Sequence, residues 1–81
     1  GRRVTSVVVT VMPKQGVLDP QGQAVRGALE RLGFAGVGEV RIGKRIELEI
    51  AGDDPAGAAR EMCERLLANQ LIEDYRVEVP G

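Results

Sequence analysis

Apolar and polar positions alternate along the first dozen residues, with Val7, Val9 and Val11 on one side at period two and Val8, Thr10 and Met12 on the other. A run this rich in β-branched side chains predicts a strand, and Pro13 ends it. Lys14-Gln15-Gly16-Val17-Leu18 reads as a loop. Asp19 then stands where a helix N-cap belongs, with Pro20 at the first helical position, whose N–H a helix leaves unpaired in any case. The period now becomes helical. Val25, Ala28, Leu29 and Leu32 fall at i, i+3, i+4 and i+7, one apolar stripe of an amphipathic helix. Gly33 is placed for the left-handed cap conformation and Phe34 for the apolar contact that closes such a cap.

Val40 and Ile42, and then Ile46, Leu48 and Ile50, alternate with Glu39, Arg41, Glu47 and Glu49 around Gly43-Lys44-Arg45, which predicts a β-hairpin. A two-residue turn would set Ile42 opposite Arg45. A three-residue loop of Gly43, Lys44 and Arg45 sets Ile42 opposite Ile46 and Val40 opposite Leu48, keeping apolar partners on one face. Asp54-Pro55 repeats the cap-and-proline start, followed by the stripe Ala59, Met62, Cys63 and Leu66 and an i,i+4 pair from Glu61 to Arg65. Asn69 is expected to cap the end of that helix. Tyr75, Val77 and Val79 alternate with Arg76 and Glu78 as a last strand before Pro80.

The D-P-x-G motif recurs at an offset of 35, as Asp19-Pro20-Gln21-Gly22 and Asp54-Pro55-Ala56-Gly57, so the halves resemble two β-α-β units. The expected fold is one α+β domain over residues 1–81 in the order β-α-β-β-α-β. This is a ferredoxin-like two-layer sandwich with both helices on one face of an antiparallel sheet. The opposite face is expected to carry Val8, Thr10 and Met12 as an apolar strip for self-association, edged by Glu39, Arg41, Glu47, Glu49, Arg76 and Glu78. Gly1-Arg2-Arg3 lacks an initiating methionine and reads as a disordered, processed or artificial end.

Composition narrows the function classes. The 81 residues carry 11 basic and 12 acidic side chains, a net charge of −1, so no whole-chain field draws a nucleic acid or an anionic membrane. One cysteine excludes an internal disulfide, and no apolar run approaches the roughly 18 residues of a membrane span, so a cytoplasmic protein is expected. Histidine is absent, which excludes a serine or cysteine nucleophile activated by histidine. Cys63 sits on a predicted buried stripe and reads as packing. Glu47 and Glu49 share a face but have no convergent third ligand, and Gly43-Lys44 lacks the other glycines of a phosphate loop and reads as a turn, so neither a metal site nor a phosphate loop is expected. If the chain serves an enzyme, the chemistry lies on another chain.

Two segments hold more than their elements require. A cap needs only Asp19, yet Gly16-Val17-Leu18-Asp19-Pro20-Gln21-Gly22 adds a glycine to the first helical turn, where it lowers propensity and permits close approach. Leu71-Ile72-Glu73-Asp74-Tyr75 places an acidic pair between apolar residues and the sole tyrosine.

Together with Leu32-Gly33, Val40-Arg41-Ile42-Gly43-Lys44 and Leu66-Leu67-Ala68-Asn69, these segments resemble the PurS family, the small subunit of phosphoribosylformylglycinamidine (FGAM) synthase. Gln70 and Leu71 stand where the family often has proline and valine, and Met12-Pro13-Lys14-Gln15 is not its commonest form. The resemblance implies a non-catalytic subunit in de novo purine synthesis, assembled with a glutaminase subunit that releases ammonia and a large synthetase subunit. The partners would use glutamine, ATP and magnesium, while this chain binds no cofactor and forms a homodimer or higher homo-oligomer. It also implies partner contacts at or beside Lys14, Asp19, Gln21, Gly22, Arg41, Lys44, Asn69, Glu73, Asp74 and Tyr75. The competing reading from fold analogy is a small-molecule-binding regulatory domain of ferredoxin-like fold, with ligand near residues 16–22. An RNA-recognition module of the same order needs stacking aromatics on its sheet, and Phe34 and Tyr75 are the only aromatics.

Overall fold

A computed structural model describes residues 4–80, and the expectation for Gly1, Arg2 and Arg3 lies outside them. Strand β1 (Val4–Pro13) leads through a loop to helix α1 (Pro20–Arg31), and strand β2 (Lys44–Ala51) precedes helix α2 (Pro55–Met62). Strand β3 (Glu73–Glu78) closes the chain. The sheet is antiparallel with order β2-β1-β3. The α+β architecture matches the expected class, and β1 forms its centre because both neighbours pair with it, Val9 lying opposite Ile46 on one side and Val77 on the other.

That register places every core side chain on one face. Val7, Val9 and Val11 are buried beneath Ala59 of α2 and Cys63 just past its end, with Ile46, Leu48, Tyr75 and Val77 packed around them. The thiol of Cys63 is pushed up by burial and, to a lesser degree, by the neighbouring Glu64 carboxylate. A thiol that is both covered and protonated is a poor nucleophile. We expect iodoacetamide to label native chain at pH 7 at least about 100-fold more slowly than denatured chain, because labelling waits for the core to open. Equal rates would show that Cys63 is accessible.

Both helix starts are as the sequence predicts. Asp19 accepts from the Gly22 N–H at 3.0 Å and Asp54 from the Gly57 N–H at 3.0 Å, each with proline next. The end of α1 also follows its signal. Gly33 takes φ +98° and donates to the Glu30 carbonyl, while Phe34 donates to the Leu29 carbonyl, the two bonds of a Schellman cap. At the end of α2 the pattern departs. Residues Cys63–Leu67 form one wide turn in which the Ala68 N–H reaches back to the Cys63 carbonyl, and the extra residue carries Leu66 out to solvent instead of into the stripe. Asn69 does not cap the helix. Its Oδ1 accepts from the Leu71 N–H in a turn of the following loop.

The predicted hairpin is corrected. Residues 40–42 are not a strand, and Lys44 and Arg45 belong to β2 rather than to a turn, so the chain runs straight into the sheet without reversing. Ile46 and Leu48 pair with Val9 and Val7 of β1, not with Ile42 and Val40. The cause is that Ile42 and Arg41 are bonded elsewhere, as described below. Glu39 and Arg41 consequently leave the sheet face on which they were expected.

Helix α1 supplies no residue to the core. A ten-residue strand spans roughly 33 Å and a twelve-residue helix roughly 18 Å, and the long dimension of the chain is 55 Å. Those lengths fit α1 placed end to end with the sheet, as an arm whose return strand of chain is residues 33–43.

Candidate functional site

The arm meets the sheet where β1 ends. Beyond Pro13 the chain turns through residues 14–17, the Val17 N–H donating to the Lys14 carbonyl at 3.2 Å, with Gly16 at φ +82°. Lys14 is held twice. Its backbone N–H donates to the Ile72 carbonyl at 2.8 Å, and its Nζ donates to Asp74 Oδ1 at 2.6 Å. These contacts fasten the loop before β3 to the end of β1, just past the Pro13–Glu73 pair.

Asp19 joins the arm's two strands of chain. While Oδ1 caps α1, Oδ2 accepts from the Ile42 N–H at 2.7 Å. The Ile42 N–H, then the Gly22 N–H, hold the carboxyl below its ordinary value of 3.8, with smaller help from the Gln21 N–H and the Arg41 guanidinium. Because the folded value is lowered, the stability Asp19 contributes is complete above that ordinary value and is lost as pH falls through the folded one. The stability difference between the parent chain and Asp19→Asn should therefore be largest near neutral pH and shrink on acidification below pH 3.8, as followed by urea unfolding. A difference that grows with acid would contradict this linkage.

Gly22 is buried, and a Cβ on it would strike the Val40 carbonyl oxygen. The glycine that looked superfluous for a cap is there so that the return chain can lie against the first turn of α1. Arg41 Nη2 donates to the Pro13 carbonyl, and its Nε lies 3.8 Å from Glu39 Oε1. On the far side Glu73 Oε1 accepts from the Asn69 N–H at 2.8 Å, and the Asn69 carbonyl accepts from the Ile72 and Glu73 N–H groups. A cavity of about 220 Å³ joins the two halves, lined by Pro13, Leu18, Asp19, Gln21, Ile42 and Glu73 among others.

Most of the expected contact residues thus converge on one junction, among them Lys14, Asp19, Gln21, Gly22, Arg41, Asn69, Glu73 and Asp74. Lys44 lies near it, exposed at the start of β2 opposite Val11. Tyr75 lies apart from it, half-buried opposite Val11 and packed against the core. Val8, Thr10 and Met12 line the open sheet face as expected, flanked by the ion pairs Arg45–Glu47 at 3.2 Å and Arg76–Glu78 at 2.9 Å. Sequence reasoning missed the backbone groups that organise the junction, namely the Ile42 N–H and the Val40 and Pro13 carbonyls. Only Gly22 signalled them.

The junction's chemistry is internally engaged: Asp19, Glu73 and Asp74 each accept a hydrogen bond from this chain. No group of three His, Cys, Asp or Glu side chains able to hold a metal occurs among the described residues. No described helix is long and apolar enough to cross a membrane. These hydrogen bonds fix the shape of the surface at this end of the molecule.

Comparison with known proteins gives that surface a context. The family model described as PurS, phosphoribosylformylglycinamidine (FGAM) synthase, matches residues 6–81. The chain is 52% identical over 75 residues to phosphoribosylformylglycinamidine synthase subunit PurS of Bacillus subtilis, covering 90% of this chain and 89% of the relative. Its fold is similar to the crystal structure of B. subtilis PurS, with a TM-score of 0.87 and 48% identity over 98% of this chain and 100% of that one. A chain in the structure of PurLQS from Thermotoga maritima is similar at a TM-score of 0.83 and 26% identity, over 96% and 99% of the two chains.

Proposed function

The chain belongs to the PurS family, and from that premise we propose that it is the non-catalytic small subunit that assembles FGAM synthase. It serves an enzyme of purine biosynthesis whose other parts are an ATP-dependent synthetase subunit and a glutaminase subunit. The observation that carries the assembly role is the junction itself. Side chains drawn from three distant segments are tied into one end of the molecule by the Lys14–Asp74, Ile42–Asp19 and Asn69–Glu73 hydrogen bonds.

The chemistry explains why such a subunit is useful. Ammonia released from glutamine becomes ammonium on reaching water and ceases to be a nucleophile, so the two active sites must be joined in a sealed and oriented way. The junction at Lys14, Asp19, Arg41 and Asp74 is the surface that meets a partner subunit, with Gln21, Lys44, Asn69 and Glu73 beside it. Glutamine, ATP and magnesium are bound by the partners, and the complex works in the cytoplasm. A homodimer or higher homo-oligomer is the form that enters the complex.

Size exclusion of the three purified subunits tests the role. Synthetase and glutaminase should co-elute as one species when this chain is added and separate when it is omitted. Co-elution of the two partners without it would remove the assembly role.

A further inference from the structure

The cavity that joins arm and body at the junction is a slot of side-chain size. Its volume of about 220 Å³ lies below the roughly 300–1,000 Å³ of small-molecule sites, so it suits one long side chain rather than a cofactor. Its walls are mostly aliphatic. Val17, Leu18 and Pro20 come from the chain entering α1, Ile42 from the return chain and Ile72 from the loop before β3. Leu18 is 66% and Ile72 46% exposed, so these walls stand open to solvent.

The charged part of the lining is acidic. Asp19 and Glu73 supply carboxylates, and no basic side chain lines the slot among the described residues. Neighbouring acids are neutralised, Asp74 by Lys14 and Glu39 by Arg41, whereas neither Asp19 nor Glu73 forms an ion pair among the described residues. Arg41, the guanidinium that acts on Asp19, gives its Nη2 to the Pro13 carbonyl and keeps its Nε beside Glu39. Hydrogen bonding does not exhaust the two acids either. Each Asp19 oxygen accepts one backbone N–H and Glu73 Oε1 accepts one, while a carboxylate offers about four acceptor positions.

Aliphatic walls beside two unneutralised carboxylates fit one chemistry, a long alkyl stem that ends in a cation. An apolar side chain would fill the walls but leave the carboxylates desolvated and unpaired. A small cation would satisfy the carboxylates and leave the walls wet. We propose that the slot receives one basic side chain, arginine or lysine, of the synthetase or glutaminase subunit, its stem against Leu18 and Ile72 and its charged head on the Asp19 and Glu73 carboxylates. This rests on the reading of the junction as the partner surface and adds to it the anchor and the sign of its charge.

Calorimetric binding of the full chain to the synthetase–glutaminase pair, at several salt concentrations, tests it. Glu73→Gln keeps an oxygen to accept from the Asn69 N–H, and Leu18→Ser alters an exposed side chain, so both should retain the circular dichroism of the parent. Glu73→Gln should weaken binding about tenfold or more and make it less sensitive to salt, because a charge pair is lost. Leu18→Ser should weaken it by about tenfold with salt sensitivity unchanged, because only apolar contact is lost. Glu49→Gln, at an exposed carboxylate on the open sheet face, should change neither quantity. Parent-like binding by Glu73→Gln and Leu18→Ser would overturn the anchor, and the junction would remain the partner surface if Lys14→Asp still weakened binding. Weakening by Glu73→Gln with undiminished salt sensitivity, or equal weakening by Glu49→Gln, would overturn it as well. If Glu73→Gln instead dissociated the chain from itself in light scattering without partners, the slot would belong to a second copy and the proposal would fall.

Discussion

Gly22→Ala should lower the melting temperature by roughly 8–16 °C, while Gly27→Ala, five residues further along the same helix, should leave it unchanged or raise it slightly. The contrast isolates space from propensity, since alanine is the better helix former at both positions. At Gly22 the added carbon meets the Val40 carbonyl oxygen, with Asp19 Oδ2 at 2.8 Å and the Val40 carbonyl carbon at 2.9 Å. None of these can give way cheaply. Asp19 is tied to the Ile42 N–H, and Arg41, between Val40 and Ile42, is tied to the Pro13 carbonyl. Overpacking of this kind costs about 2 kcal/mol, and each kcal/mol moves the melting temperature of a domain this size by about 4–8 °C. At Gly27 the nearest atom is the flexible end of Arg31 at 3.5 Å. Equal behaviour of the two variants would mean that the return chain does not press on α1 as described.

Lys14→Asp and Asp74→Lys, made singly and together, should separate a structural ion pair from a surface read by a partner. The pair is 2.6 Å long, but its side chains are 39% and 66% exposed. Solvent screening limits its worth to stability to under about 1 kcal/mol, and the double swap should restore that. Contact with a partner subunit behaves differently. Each single reversal, and the double swap as well, presents the partner with the wrong charge, so binding to the synthetase–glutaminase pair should fall at least about tenfold in all three. Recovery of binding in the double swap would reduce Lys14 and Asp74 to an internal strut. The partner surface would then have to be sought around Arg41 and Lys44.

Where local chemistry decides the outcome, the sequence was legible. Asp19-Pro20 and Asp54-Pro55 begin helices, Gly33 ends one, and the valine alternation of β1 marks the central strand with its buried face correctly assigned. The limits appear where a pattern reports a tendency without a partner. Alternation at Val40 and Ile42 reports extended chain, and whether extended chain pairs depends on who claims its N–H groups. Here Asp19 claims that of Ile42. The stripe Val25, Ala28, Leu29 and Leu32 reports a face that seeks burial, but not what covers it, and its own sheet does not. The wide turn at Cys63 has no sequence signature, so Leu66 was placed inside when the added residue turns it out. The convergence of contact residues came from resemblance. Only Gly22, too small for its place in a first turn, pointed to the junction by physics alone.

The most direct measurement is a reconstitution of glutamine-dependent amidine formation. The synthetase and glutaminase subunits would be assayed with formylglycinamide ribonucleotide, ATP and magnesium, with and without this chain, and in parallel with free ammonia as nitrogen donor. An assembling subunit that joins two active sites should be required for the glutamine-dependent rate, inert by itself, and largely dispensable when ammonia is supplied. Full glutamine-dependent activity from the two partners without this chain would contradict the account.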